Sequence, residues 1–168
     1  MSGRPWLLSE TTWKEVRDGA YDVAVLPWGA TEPHNYHLPF ATDVYETQAI
    51  AAESARIAWE RWARPLVLPT VPFGVNTQQL DLPGTINLHP STQATVLADI
   101  IESLEGHGFE KLLILNGHGG NDFRQMIREA QDATPVFLST LSWFRIPGTM
   151  DHFDAPGDHA GEAETSLM

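Results

Sequence analysis

The 168-residue chain has no cysteine. That excludes a disulfide scaffold, a thiol nucleophile and thiolate metal ligation, and leaves imidazole and carboxylate as the strong ligands available. Basic residues are scarce, with 10 Lys and Arg against 22 Asp and Glu and a formal net charge of −12. Only Lys14 and Lys111 are lysines, and no stretch gathers enough cations to neutralise a run of phosphates, so nucleic acid is not an expected partner. No segment approaches the roughly 18 apolar residues of a membrane span, and no apolar run of signal-peptide length follows Met1 to Trp6. A cytoplasmic protein with no membrane partner is the expectation. What is present is enough material for a core. With 42% hydrophobic and 10% aromatic residues, a chain of this length can bury roughly two thirds of its unfolded surface as one domain over residues 1–168.

Two periodicities alternate along the chain. Short apolar runs at Tyr21–Trp28, Arg64–Val71, Lys111–Leu115 and Pro135–Leu141 are bounded by Gly, Pro or polar residues and predict buried strands. Between them, Asp43–Trp62, Ser91–His107 and Asn121–Ala133 repeat apolar residues at three and four and predict amphipathic helices, with Ser91 as a candidate N-cap. Strand and helix in alternation imply an α/β fold, a three-layer α/β/α sandwich on a mainly parallel sheet. Such sheets carry their functional residues in loops beyond the carboxyl ends of the strands. The stretch Val71–Asn87, rich in Pro, Gly and polar residues, is expected to line the cleft or a subunit contact.

Three loop segments hold unusual residues. After the first strand, Glu32 and His34 are spaced to share one side of an extended segment, and Asp43 returns at a helix start. Imidazole with carboxylate suits Zn or Mn, and one carboxylate can bridge two ions about 3.5–4 Å apart. Equally, Glu32 and His34 read as loop polars and Asp43 as an N-cap. After the third strand comes Asn116-Gly117-His118-Gly119-Gly120-Asn121, where three glycines allow close backbone approach and leave His118 at the apex. A structural turn or a phosphate-cradling loop are the alternatives, the latter lacking GxGxxG spacing and a following Lys. Near the C-terminus, Asp158, His159 and Glu162 fall roughly on one helical side and Glu164 on another, which also reads as a solvated acidic helix start.

Together Glu32-x-His34-x-x-His37-Leu38-Pro39 with Thr42-Asp43, the Asn116 to Asn121 segment, and His159-Ala160-Gly161-Glu162-x-Glu164-Thr165-Ser166 resemble the creatininase (creatinine amidohydrolase) family from about Val23 onward. That family includes formamide deformylases and a peptidase that trims a redox-cofactor precursor, and the chain is more similar to these than to creatininase proper. The resemblance implies two divalent ions per chain, Zn and/or Mn with Fe as a further option. Glu32, Asp43 and His118 would hold one, and His34, a bridging Asp43 and a further Glu the other. In creatininase proper that Glu lies where this chain has Gly120, and Glu162 is the expected replacement. The implied activity is cleavage of a C–N amide bond in a cyclic amide, formamide or small peptide-like amide by a metal-activated bridging water. His159 would be the general acid or base, with Glu164 or Asp158 as its orienting partner, and His37 would orient a ligand carboxylate. No such role is expected of His89, His107 or His152. A homo-oligomer, such as a hexamer, acting on a small-molecule amide is also implied. Asn35-Tyr36 departs from the Gly-Pro of many members. The chain stops at Met168 where family members continue, so a domain shortened at its C-terminus is expected, and a non-catalytic metal-binding or structural relative is the alternative.

Overall fold

A computed structural model describes residues 3–168. Four strands, β1 (Val23–Trp28), β2 (Pro65–Val67), β3 (Lys111–Asn116) and β4 (Phe137–Ser142), form one sheet in the order β2-β1-β3-β4. All three strand pairings are parallel, so the expected α/β architecture is the one observed. Five α-helices accompany them: α1 (Trp13–Asp18), α2 (Thr42–Glu60), α3 (Pro90–Gly106), α4 (Arg124–Ala130) and α5 (Glu162–Leu167). Among the described residues, no helix is long and apolar enough to cross a membrane.

Alternation along β1 sorts the core into two layers, because successive side chains of a strand point to opposite faces. Ala24, Leu26 and Trp28 pack with Leu112 and Ile114 against Leu97, Ile101 and Leu104 of α3, with Ile127 of α4 beside them. Val25 points the other way and joins Val67 and Leu115 against Ala51 and Ala55 of α2 and Ala163 of α5. The chain runs from β1 to one side through α2 and β2, then crosses to the other side through α3 and β3. The topological switch point therefore falls between the carboxyl ends of β1 and β3, where loops diverge and leave a crevice.

Several boundaries differ from the sequence expectation for local reasons. Arg64–Val71 yields only the three-residue β2, because Pro69 has no N–H to give the ladder. Pairing with β1 resumes at Val71, whose N–H donates to Pro27 O at 3.0 Å. Helix α3 starts at Pro90 with His89 as N-cap rather than at Ser91, since proline is preorganised for the first helical position. Helix α4 begins only at Arg124, because the Asn121 side chain is committed to the loops described below.

At the crevice, β3 runs almost against α2. A Cβ on Gly117 would lie 1.6 Å from Thr47 Oγ1 and 3.2 Å from Asp43 O, so only glycine lets the strand end reach the helix's first turns. Gly117→Ala is therefore expected to destabilise the protein by about 1–3 kcal/mol through overpacking. Thr47→Ala in the same chain should recover part of that loss, as measured by urea unfolding, whereas an additive second loss would contradict the close approach.

Candidate metal centre

Loops after β1 and β3 and the first turn of α2 converge on a polar cluster inside the crevice. Glu32, His34, Asp43 and His118 are each no more than 3% exposed. His118 Nδ1 lies 2.9 Å from Glu32 Oε1 and 2.9 Å from Asp43 Oδ2. His34 Nε2 lies 2.9 Å from Asp43 Oδ1 and 3.8 Å from Glu164 Oε1. The His159 ring packs against His34 at an interplanar angle of 37° with centroids 4.3 Å apart, and its Nδ1 is 3.9 Å from Glu32 Oε1.

Three backbone carbonyls set how these rings present themselves. His34 Nδ1 is 3.1 Å from Glu32 O, His118 Nε2 is 2.9 Å from Val75 O, and His159 Nε2 is 2.8 Å from Pro33 O. A ring nitrogen that donates to a carbonyl leaves the other nitrogen's lone pair free, and in all three histidines that second nitrogen faces the cluster. On the carboxylate side, Gln79 Nε2 donates to Glu32 Oε2 and leaves Oε1 pointing inward.

The donor set fits a divalent cation. Glu32, Asp43 and Glu164 have no Lys or Arg ion-pair partner among the described residues, only histidines. His34 Nε2 and Asp43 Oδ2 are buried yet neither has an aligned hydrogen-bond partner, although Asp43 Oδ1 and His118 Nδ1 respectively lie 2.9 Å away. Short separations with poor mutual alignment are what ligands aimed at a common point display, since donors about 2.0–2.2 Å from one ion stand near 3 Å from one another. Three groups of ligand atoms lie within 4.8 Å: Glu32, Asp43 and His118; His34, Asp43 and Glu164; and Glu32, His34 and His159. The first two share Asp43.

Electrostatics in the metal-free protein follow from this packing. Burial alone would lower both imidazoles, but the adjoining Asp43 carboxylate, with Glu32 for His118 and the Glu32 carbonyl and Glu164 for His34, raises them to about 10 and about 9. Asp43 is held below its usual value despite burial, because His118 and His34 flank it. Glu46, one turn along α2, is 1% exposed and accepts from Trp143 Nε1 at 3.2 Å. Burial, then the charges of Asp43 and Glu164, push its carboxyl up to about 8.

Four of the five expected ligands meet at one place, and the fifth does not. Glu162 is exposed and its Oε2 accepts from Ala155 N at 2.7 Å, outside the cluster. Glu164 stands beside His34 and Asp43 instead, with its other oxygen taking the Ala160 N–H. The two glutamates are about 200° apart on α5, so only one can face the crevice while Ala163 packs into the core. Glu164 is thereby placed with the ligand atoms, where the His159 charge also acts on it, while His159 Nε2 takes the Pro33 carbonyl. At Gly120 a Cβ would lie 2.2 Å from Val75 O and 2.5 Å from His118 Nε2, so the arrangement excludes any side chain there. His37 meets Thr165 Oγ1 at 3.2 Å rather than a ligand carboxylate. His89, His107 and His152 belong to none of the three groups.

Sequence reasoning overlooked several supports. Asn121 Oδ1 accepts from Val75 N at 3.1 Å and Gln93 Nε2 at 2.9 Å, and its Nδ2 donates to Asn116 Oδ1 at 3.1 Å, tying the 71–87 loop, α3 and the end of β3 together. Gln79 and the Val75 carbonyl left no local signal, being more than 40 residues from their partners. Glu46 and Thr47 did leave one, as polar residues three and four places after Asp43 on the stripe that Ala51 continues. Asn35 has φ of 55°, a left-handed conformation that glycine favours and asparagine tolerates, which accounts for Asn at the Gly position of the family pattern.

Fold and donor set define an α/β domain with a histidine–carboxylate site of metal-ligating composition at the switch point of a parallel sheet. Within that class the chain belongs to the creatininase family: the family's sequence model, creatinine amidohydrolase, matches residues 9–168. It is 32% identical over 186 residues to creatinine amidohydrolase of Pseudomonas putida, covering 96% of this chain and 70% of that protein. It is 29% identical over 155 residues to the mycofactocin precursor peptide peptidase of Mycolicibacterium smegmatis, covering 87% and 56%. A crystal structure from Bacteroides fragilis, provisionally named a creatinine amidohydrolase, superposes with TM-score 0.90 at 45% identity over 98% of this chain and 66% of that one. Creatininase in a manganese form superposes with TM-score 0.79 at 28% identity, covering 97% and 71%. A creatininase variant of Zn–Zn type does so with 0.76 at 30%, covering 96% and 70%. The chain thus spans between 56% and 71% of the length of these relatives.

The raised imidazoles give the metal-free protein a defined pH response. A basic group raised in the folded state contributes stability that is complete below its unfolded value near 6.5 and is lost as pH rises through the folded value. For His34 and His118 the loss runs from about pH 6.5 to 9 and 10. Glu46 acts in the same direction, its burial cost growing from about pH 4.5 to 8. The melting temperature of chelator-treated protein should fall steadily between pH 6.5 and 10. A flat profile would contradict protonated histidines in the metal-free cluster.

Proposed function

We propose that the chain is a metal-dependent amidohydrolase with two divalent ions, Zn and/or Mn, acting on a C–N amide bond of a cyclic amide, formamide or small peptide-like substrate. The observation that carries this reading is the convergence of buried histidine nitrogens and carboxylates, none of them paired with Lys or Arg among the described residues, into two ligand groups that share Asp43. Glu32, Asp43 and His118 would hold one ion, and His34, Asp43 and Glu164 the other. Such ions supply a water of lowered pKa and polarise the amide carbonyl. The named activities of the P. putida and mycobacterial relatives, one a creatinine amidohydrolase and the other a peptidase, support C–N hydrolysis as the common chemistry.

The protein's own groups do the rest. His159 is anchored through Nε2 on Pro33 O and offers Nδ1 to the cluster, so it can hold a proton at the edge of the site and deliver it to the departing nitrogen. Its exposure of 37% leaves it accessible to substrate. A cleft of about 400 Å³ opens beside it, walled by Trp143, Phe144, Met150 and Pro156 and bordered by Asp158 and Glu164. Among the described residues, no lysine or arginine lines this cleft, so it offers no side-chain cation to an anionic substrate group.

Elemental analysis of the purified protein is the direct test, with up to two equivalents of Zn or Mn per chain expected. Asp43→Ala should lose both ions, and Glu164→Gln should lose one, because an amide is a poor replacement for a ligating carboxylate. Glu162→Gln should keep both. His159→Ala should retain the metals and lower turnover by about 10²- to 10⁴-fold. Full metal retention in Glu164→Gln would refute the second ligand group.

A further inference from the structure

Helix α5 carries Glu164 but is weakly attached to the rest of the protein. It has six residues, of which only Ala163 is buried. The irregular segment before it turns through left-handed conformations at Gly157 (φ 69°) and Ala160 (φ 50°). Its other bonds are local: Glu162 accepts from Ala155 N, Glu164 from Ala160 N, and Ser166 Oγ donates to Ala163 O. Among the described residues, one side-chain hydrogen bond links α5 to the chain before residue 153, that between Thr165 Oγ1 and His37 Nε2.

His37 is well placed to receive it. Residues 34 and 38 form an isolated antiparallel bridge, and the turn between them is pinned by Asn35 Oδ1 accepting from Tyr36 N at 2.9 Å. One loop therefore supplies the donors Glu32 and His34, the carbonyl that holds His159, and the imidazole that holds Thr165. Packing of Ala163 fixes which side of α5 faces the core, but a single methyl leaves rotation about the helix axis loosely defined. Thr165 follows Glu164 by 100° around the axis, so tethering it sets that rotation, and the rotation decides where the Glu164 carboxylate points.

We infer that His37 is a positioning residue: through Thr165 it sets the rotation of α5 that presents Glu164, rather than Glu162, to His34 and Asp43. The inference rests on the two-ion reading proposed above and goes beyond it in assigning one ion's occupancy to a contact outside the ligand shell. Outer contacts of this kind typically change metal affinity by 10- to 100-fold.

The test measures both dissociation constants for Zn(II) in the full chain by competition with a chromogenic chelator, for His37→Ala, Thr165→Val, the double variant and Thr165→Ser. His118→Asn, which removes a ligand of the other ion, identifies which constant belongs to which site. The expected result is a 10- to 100-fold weakening confined to the ion that Glu164 serves, with the other constant within twofold of wild type. Thr165→Ser, which keeps the hydroxyl, should bind as wild type, and the double variant should be no worse than either single one, because both remove the same bond. Equal weakening of both ions, additive losses, or constants that do not move would overturn the inference while leaving the metal centre intact. A wild-type chain that takes up no ion would instead overturn the metal-centre reading itself, and this inference with it.

Discussion

A carboxylate buried to 1% exposure with no lysine or arginine beside it must find positive charge elsewhere, and Asp43 finds it between His34 and His118. Much of the architecture around the crevice serves that placement. Asp43 stands in the first turn of α2, where the helix dipole favours an anion. His118 reaches it from the end of β3 because Gly117 lets strand and helix approach without a Cβ between them. His34 comes from the other flank, with β1 and β3 paired in parallel so that their carboxyl ends release both loops into the same space. Removing the Asp43 carboxylate would leave the buried His34 with only the more distant Glu164 beside it and His118 with Glu32 alone, a costly state for buried cations in a low-dielectric interior.

The shell outside the donors is built largely from backbone carbonyls and amide side chains. Carbonyls of Glu32, Val75 and Pro33 each take one ring nitrogen, and Asn121 binds the 71–87 loop, α3 and β3's end into one frame. Carbonyls suit this purpose because they fix a tautomer without adding charge, so the net negative charge of the pocket remains available for cations. That arrangement also accounts for the size of the proton affinities at His34 and His118. Each imidazole is buried, yet the anions beside it outweigh the cost of burial. Glu46 shows the opposite balance: near acids and away from any cation but His34, it remains protonated at neutral pH.

Membership of the creatininase family is consistent with both the sheet and the donor set. Gly120 cannot bear a side chain here, and the acid that stands beside His34 and Asp43 is Glu164 of the C-terminal segment. The β3 loop and α5 border the same crevice. Which loop contributes the acid then affects the shape of the cleft beside it, where Trp143, Phe144 and Pro156 form an apolar wall.

The sequence by itself determined the layers and the parallel sheet and singled out four candidate donors, because each depends on patterns within a few residues: apolar runs, helical spacing, and a histidine or acid at the tip of a strand. Glu32, His34, Asp43 and His118 were legible for that reason, as was the Gly-rich turn that bears His118. Tertiary structure alone decided between Glu162 and Glu164. Both lie on one short helix, and the choice depends on its rotation, which is set by Ala163 in the core and by Thr165 against His37, a partner 128 residues away. Gln79 on Glu32 and Val75 on His118 were equally hidden, since contacts across such separations leave no local period to read. The length of β2 and the start of α4 were likewise decided by long-range demands, those of a proline in a ladder and of an asparagine already engaged elsewhere.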